Sequence, residues 1–565
     1  MRLRFHIAAI CIILLPIVNL SAAYKDDVRY TELANELNLR SISVPTGGGV
    51  GVTQVESYFN AVEAFVPSSA SEFTGKTITD QTGGGTTSDH ATWVGQNLYG
   101  NITSIAPGIS TINVYSSNDW LDNRGWLNNE PEIETNPLQN HSWIFDTTST
   151  NASIRMDYAI GRDGFLSCAG LNNKNSTTVP STYGSIYNGI TVGRTDGGHS
   201  RGGTVYDTAG RTKPEIVAPG GIPGSNPATQ FTSFATPIIT AAAAFLIDAA
   251  GSNAAAKDQL TLKALLLAGA DKSISASWDQ TPTRPIDEVY GAGELDIYES
   301  YFIQQAGQQS ANSTIEQRGW NKASLSNNGS HTYTLQILDG FVLRNISALI
   351  TWNRIVAKTG PNYNPSLADL SLSLKDDSDN STLQSSDSPV DNIEHIWRGA
   401  SSELSVGTYS LVVATDDAVD YAIAWRSELY QDYTLWVGAN FNTTPISEQG
   451  PSDDPEGDGI ANLLEQAFGG DPEESDINIL PISQIVIDAG QSYLQISYRK
   501  PGHENDLTYT VETITDLNGT WSSQSAEVVL VSIATETGGF DRYTYRRVEP
   551  LSAHEKAFLR VSVTQ

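Results

Sequence analysis

At 565 residues the chain is longer than one ordinary hydrophobic core organises, so about three or four domains are expected. Its net charge of −31 argues against nucleic acid as a partner, because phosphates would be repelled, and suits a solvated exoprotein. Hydrophobic residues at 39% fit globular domains, and 48 glycines point to many turns and a large β fraction.

The chain opens with Arg2 and Arg4, an apolar stretch over 7–18 and a small-residue cleavage site at Ser21-Ala22-Ala23. This predicts an export signal over 1–23. Its apolar run is short against the roughly 20 residues of a bilayer span, although a retained anchor is the competing reading. The mature chain is expected to be secreted, extracellular or at the cell surface, with no membrane span. Losing Arg2 and Arg4 takes the charge from −31 to −33 (−31 − 2). Cys11 leaves with the signal, so Cys168 is the one of 2 cysteines that remains and no intramolecular disulfide can form. Stability is then expected from core burial and bound cations.

Residues 24–44 read as a short N-terminal segment. Over 45–305, β-branched runs alternate with helical stretches, the α/β pattern. Strands are predicted at 50–55, 112–115 and 189–193, and buried helices at 235–250 and 260–270. From 306 to 430 the helical period vanishes, and alternating runs such as Thr332-Tyr333-Thr334-Leu335 predict an antiparallel β-sandwich. Residues 431–476 form an acidic linker rich in proline and glycine, and 477–565 a C-terminal β-domain.

Three segments of the α/β region carry candidate chemistry. Thr232-Ser233-Phe234-Ala235-Thr236-Pro237 leads into an apolar helix. The free N–H groups and positive dipole end there favour an oxyanion beside the Ser233 hydroxyl. Pro237 is expected in the first turn, where a missing N–H costs little. Alone, this is also simply a capped helix. Ser88-Asp89-His90-Ala91-Thr92-Trp93-Val94-Gly95 places a histidine where a loop enters a helix, and a structural histidine fits equally. Val52-Thr53-Gln54-Val55-Glu56 ends a strand on a carboxylate. In open α/β sheets such strand ends line the ligand crevice, where an acid can fix an imidazole's tautomer.

In the chain order acid, His, Ser, these segments resemble the subtilisin-like serine peptidases. Ala106-Pro107-Gly108 and Lys213-Pro214-Glu215-Ile216-Val217-Ala218-Pro219-Gly220 agree, and Thr232 to Pro237 matches the family's Thr-Ser-x-Ala-Thr-Pro. The resemblance covers about 45–275. It implies a parallel sheet flanked by helices, polypeptide substrates, and a catalytic set of Ser233 as nucleophile, His90 as general base and Glu56 as the acid. The family usually has Asp where Glu56 stands, and Asp89 is the fallback. It also implies an oxyanion Asn after an Ala-Gly pair. In Cys168-Ala169-Gly170-Leu171-Asn172-Asn173 the aligned place holds Leu171, so Asn172 is the first choice and Asn173 the second. Ser142 and Trp143 would belong to the strand that pairs with substrate, although Trp143 also reads as a core residue. Phe231 replaces a usual Gly. Cys168 reads as a small buried hydrophobe. The chemistry needs no cofactor. The displaced Asn, Phe231 and Glu56 also fit a weak or inactive scaffold acting as a secreted binding protein. An acid-acting serine-carboxyl peptidase is a third reading, against which His90 weighs.

In the linker, Asp454, Glu456, Asp458 and Glu465 fall at positions 1, 3, 5 and 12 of a calcium-loop spacing, with Gly459 at 6. Structural calcium is one expectation; a helix-capping acidic linker is the other.

Overall fold

The computed structural model describes residues 23–58, 63–145, 148–224, 229–554 and 556–565. The expected export signal over 1–23 lies outside the described residues, except that a short helix begins at Ala23.

Seven parallel strands form the central sheet: β1 (Gly51–Glu56), β2 (Thr77–Asp80), β3 (Thr111–Ser116), β4 (Leu138–His141), β5 (Leu166–Gly170), β6 (Ile190–Arg194) and β7 (Ile216–Ala218). Their order across the sheet is β7-β6-β5-β4-β1-β3-β2. The inner strands are buried on both faces, as parallel sheets under helices require, and β5 has no exposed residue. The predicted strand at 50–55 is β1, which runs one residue further and takes Glu56 into the ladder.

Helices α1 (Asp89–Tyr99), α2 (Asn151–Asp163), α3 (Thr232–Ala249) and α4 (Gln259–Gly269) cover the sheet. Helix α3 is apolar all round because it is core, and the four consecutive alanines 241–244 let its backbone lie close to its neighbours. Among the described residues it alone is long and apolar enough to cross a membrane, yet 83% of it is buried inside the protein. It starts at Thr232, ahead of the predicted 235, which moves Pro237 to the sixth helical position. The expectation of a first-turn proline is therefore corrected, with a consequence for Ser233 described below.

Besides a two-stranded hairpin, Ile355–Thr359 with Asn362–Ser366, the 306–430 region forms two larger sheets among the described residues. One joins Ser313–Ile315, Gly329–Ile337, Gly407–Thr415, Leu370–Asp376 and Ser381–Ser386; the other centres on Arg318–Leu325, Val419–Gln431, Val342–Trp352 and Ile393–Arg398. Pairing is antiparallel except for parallel edge segments, Ser313–Ile315 and Glu504–Asn505. Tyr333, Trp352, Leu372 and Trp425 fill the space shared by the sheets. On the far side of the second sheet, Trp320, Leu349, Ile393, Ala422 and Ala424 belong to the core of the α/β region. This double burial is why Val342–Trp352 is apolar on both faces near its end. A buried ion pair adds to the junction: Arg354 reaches Asp157 on α2 at 2.5 Å. Removing one member of such a pair typically costs about 3–5 kcal/mol, because the other charge is left stranded. Asp391 and Asn392 also serve the junction, accepting from Thr212 N and donating to Tyr187 O.

The C-terminal strands form a four-stranded sheet, Ile482–Asp488, Gln491–Pro501, Phe540–Arg547 and Val528–Glu536, and a separate pair, Thr508–Ile514 with Phe558–Thr564. They share a core with the end of the linker.

Candidate active site

Glu56 closes β1 at the carboxyl edge of the sheet, with a side chain only 1% exposed. A buried carboxylate needs partners, and it has two. Its Oε2 lies 2.8 Å from His90 Nδ1, and its Oε1 accepts from Gln54 Nε2 at 2.9 Å. Gln54 is itself held by the Tyr99 hydroxyl, which donates to its Oε1 at 2.7 Å. His90 sits in the first turn of α1, which Ser88 caps by accepting from Ala91 N. With Nδ1–H donated to Glu56, Nε2 carries the free lone pair. Burial disfavours the charged ring, but the Glu56 carboxylate outweighs it, and His90 is held above its ordinary 6.5. Asp89, the fallback acid, is exposed, and it is Glu56 that contacts His90 Nδ1.

Ser233 is the second residue of α3. In a regular helix its carbonyl would accept from the N–H four residues on, but that residue is Pro237. The Ser142 hydroxyl fills the gap, donating to Ser233 O at 2.8 Å, and is itself held by Asn140 Nδ2 at 2.9 Å. Ser142 directly follows β4, so the helix start and the predicted substrate-pairing segment are locked together. In return the Ser233 hydroxyl donates to Ser142 O at 3.2 Å. Among the described residues no hydrogen bond joins Ser233 to His90. They are neighbours through Phe234, whose ring lies 5.5 Å from the His90 ring and whose carbonyl accepts from Asn97 of α1 at 3.0 Å. A rotamer change at Ser233 releases its hydroxyl from Ser142, and catalytic hydrogen bonds are commonly loose before substrate binds.

The structure places the two oxyanion candidates, Asn172 and Asn173, differently. Asn173 Oδ1 accepts from Thr232 N at 2.7 Å and from the Thr232 hydroxyl at 3.1 Å, which fixes the amide beside Ser233, and among the described residues its Nδ2 makes no hydrogen bond. Asn172 is instead held through its backbone: its N–H donates to Ser200 Oγ and its carbonyl accepts from Ser200 N. The loop after Gly170 brings Asn173 back to the start of α3. Gly170 permits this approach, since a Cβ there would meet Thr236 Oγ1 at 2.8 Å.

Trp143 is nearly buried, its ring edge-on to Tyr183 at 5.5 Å and to His141 at 5.9 Å. It belongs to an aromatic cluster with Trp120, Trp126 and Phe165. Sequence reasoning missed Tyr183, which the structure holds at φ 58 with its hydroxyl accepting from Trp120 Nε1. Phe231 is extended, its ring edge-on to Phe234 at 5.8 Å. Cys168 is fully buried in β5, and burial pushes its thiol up to about 12, so it packs as a hydrophobe.

The sequence profile of the Subtilase family matches residues 130–293, a span that holds Ser142, Asn173 and Ser233 but not Glu56 or His90. No curated protein matches the chain. Among solved structures, it is similar to proteases from Pseudoalteromonas arctica at 14% identity, over 46% of this chain and 91% of that one, with a TM-score of 0.34. It is also similar to fervidolysin from Fervidobacterium pennivorans, a keratinolytic enzyme related to subtilisin, at 11% identity over 68% and 77% of the two chains, with a TM-score of 0.32. The match over 130–293 and the parallel sheet flanked by helices that frames it show a subtilisin-like α/β domain in this chain.

Proposed function

We propose that this chain is a secreted serine endopeptidase working through an acyl-enzyme, with Ser233, His90 and Glu56 as its catalytic set and Asn173 as its oxyanion donor. The observation that carries the reading is the buried 2.8 Å contact between Glu56 and His90 Nδ1, which leaves Nε2 as the ring's lone-pair nitrogen, with the His90 ring 5.5 Å from that of Phe234, the residue after Ser233. Secretion rests on the sequence of 1–23.

His90 Nε2 takes the Ser233 hydroxyl proton as Oγ bonds to the scissile carbonyl carbon. The carbonyl oxygen becomes an anion between Asn173 Nδ2 and the Ser233 N–H at the start of α3, where the helix dipole also favours it. Collapse breaks the C–N bond, and His90 returns its proton to the departing amine. Water, deprotonated by His90, then releases the acid product and restores Ser233. Throughout, Glu56 holds the ring and balances the imidazolium. An extended substrate would lie along the segment after β4, beginning at Ser142 and Trp143.

Incubation of the purified chain with a denatured protein is expected to give internal cleavages that a serine-directed fluorophosphonate blocks. A folded chain that cleaves nothing would instead support the binding-scaffold reading. Within the site, Asn173→Ala is expected to lower kcat by about 10²–10³-fold, about 2.7–4 kcal/mol of transition-state stabilisation. Asn172→Ala, whose anchoring is through its backbone, is expected to change kcat little. Steady-state kinetics of the two variants separates them, and the reverse ranking would return the role to Asn172.

A further inference from the structure

Away from the candidate active site, the linker gathers five acidic side chains around α5 (Asn462–Phe468). Asp454, Glu456 and Asp458 bring carboxylate oxygens to within 4.8 Å of one another. Glu465, on α5, is fully buried, and among the described residues neither of its carboxylate oxygens finds a hydrogen-bond donor; the same holds for both oxygens of Glu456. Asp476, beyond the helix, contributes a further buried and unpaired Oδ1. Its backbone N–H donates to Asp458 Oδ2 at 2.9 Å, which ties this residue to the loop.

Burying unpaired carboxylates side by side is costly unless something positive neutralises them. The backbone folds closely around the cluster. Asp454 accepts from the N–H groups of Gly457, Asp458 and Gly459 at 2.9, 3.1 and 2.9 Å. Gly457 and Gly459 adopt φ of +75° and +89°, the left-handed turns that fold the loop around its own carboxylates.

We propose that Asp454, Glu456, Asp458, Glu465 and Asp476 bind a calcium ion that fastens the linker to the C-terminal β-module. The donors are all hard oxygens on a flexible loop, a set that suits calcium better than magnesium, which holds its waters, or zinc, which favours nitrogen and sulfur. The consequence for the fold follows from the neighbours. Ile460 of the loop and Ala467 and Phe468 of α5 are packed in one core with Ile496, Tyr498 and Val511 of the module. An ion that neutralises the loop therefore also seats this core. The proposal is independent of the peptidase reading.

The test is calcium titration of the chelator-treated full chain by calorimetry, with hydrogen exchange followed over 450–480. Calcium is expected to slow exchange in that segment, and magnesium at the same concentration to do much less. Glu465→Gln and Asp476→Asn are each expected to weaken calcium binding by about tenfold or more. The sign of their stability effect separates a ligand from an ordinary structural acid. In chelator both variants should melt no lower than wild type, because each removes repulsion, whereas in calcium wild type should melt higher. Identical calcium isotherms for wild type and Glu465→Gln would overturn the proposal. So would a Glu465→Gln chain that melts equally lower with and without calcium.

Discussion

Replacing Ser233 by Ala is expected to lower kcat by about 10⁶-fold while leaving the fold and substrate binding in place. The size follows from the role assigned to the hydroxyl: without Oγ no acyl-enzyme forms, and what remains is the modest help of the oxyanion donors and of substrate orientation. Structural damage should be small, because the hydroxyl makes one hydrogen bond, to Ser142 O, whereas the carbonyl that anchors the helix start is untouched. Comparison of kcat and KM on one peptide substrate checks this. A fall confined to KM would make Ser233 a binding residue, and an unfolded variant would make it structural.

Glu56→Gln is expected to lower kcat by about 10⁴-fold, as loss of the acid does in triads of this kind. The amide can still approach His90, but it can donate to Nδ1 and stabilise the wrong tautomer, and it cannot balance the imidazolium. The pH profile adds a signature. His90 acts as a base in its neutral form, and its folded value lies above the ordinary 6.5 chiefly because Glu56 outweighs the opposing effect of burial. The acid limb of kcat/KM in the wild type should therefore fall above 6.5, with activity rising as pH climbs through it. Glu56→Gln removes the raising influence and leaves burial, so the limb of its residual activity should move to lower pH. Asp89→Asn, at an exposed position apart from the Glu56–His90 contact, should move neither kcat nor the limb appreciably.

Several parts of this site are legible in the sequence for identifiable reasons. The segments around Glu56, His90 and Ser233 are local: a strand end, a helix entry and a helix start each carry their chemistry within a few residues, so resemblance and pattern suffice to nominate them. The choice between Asn172 and Asn173 is harder to read, because it depends on how the loop after Gly170 turns back to Thr232, a tertiary fact. Pro237 shows the same limit. Its helical position depends on where α3 begins, and only with the start at Thr232 does the missing N–H fall opposite Ser233 O and create work for Ser142. Tyr183 carries no local signal; its place is set by packing against His141 and Trp143.

The accessory region repeats the lesson at larger scale. Alternation along 306–430 predicts strands, and strands are there. What alternation cannot convey is that the second sheet has two buried faces, one turned to its partner sheet and one to α4 and the rest of the α/β core. The run of seven buried residues that ends Val342–Trp352 is the trace of that arrangement in the sequence. In the linker, calcium-loop spacing gives four of the five acids, since they share one short segment. Asp476 lies on the far side of α5 with no fixed spacing, and its membership follows from its hydrogen bond to Asp458 and its proximity to Glu465.

The central claim is that Ser233 is made nucleophilic by His90, and covalent labelling reads this directly. Purified chain treated with a fluorophosphonate and mapped by peptide mass spectrometry should carry the label on Ser233, and His90→Ala should carry almost none. Wild-type protein that is folded yet unlabelled at Ser233, or a His90→Ala chain labelled as fast as wild type, would contradict the account.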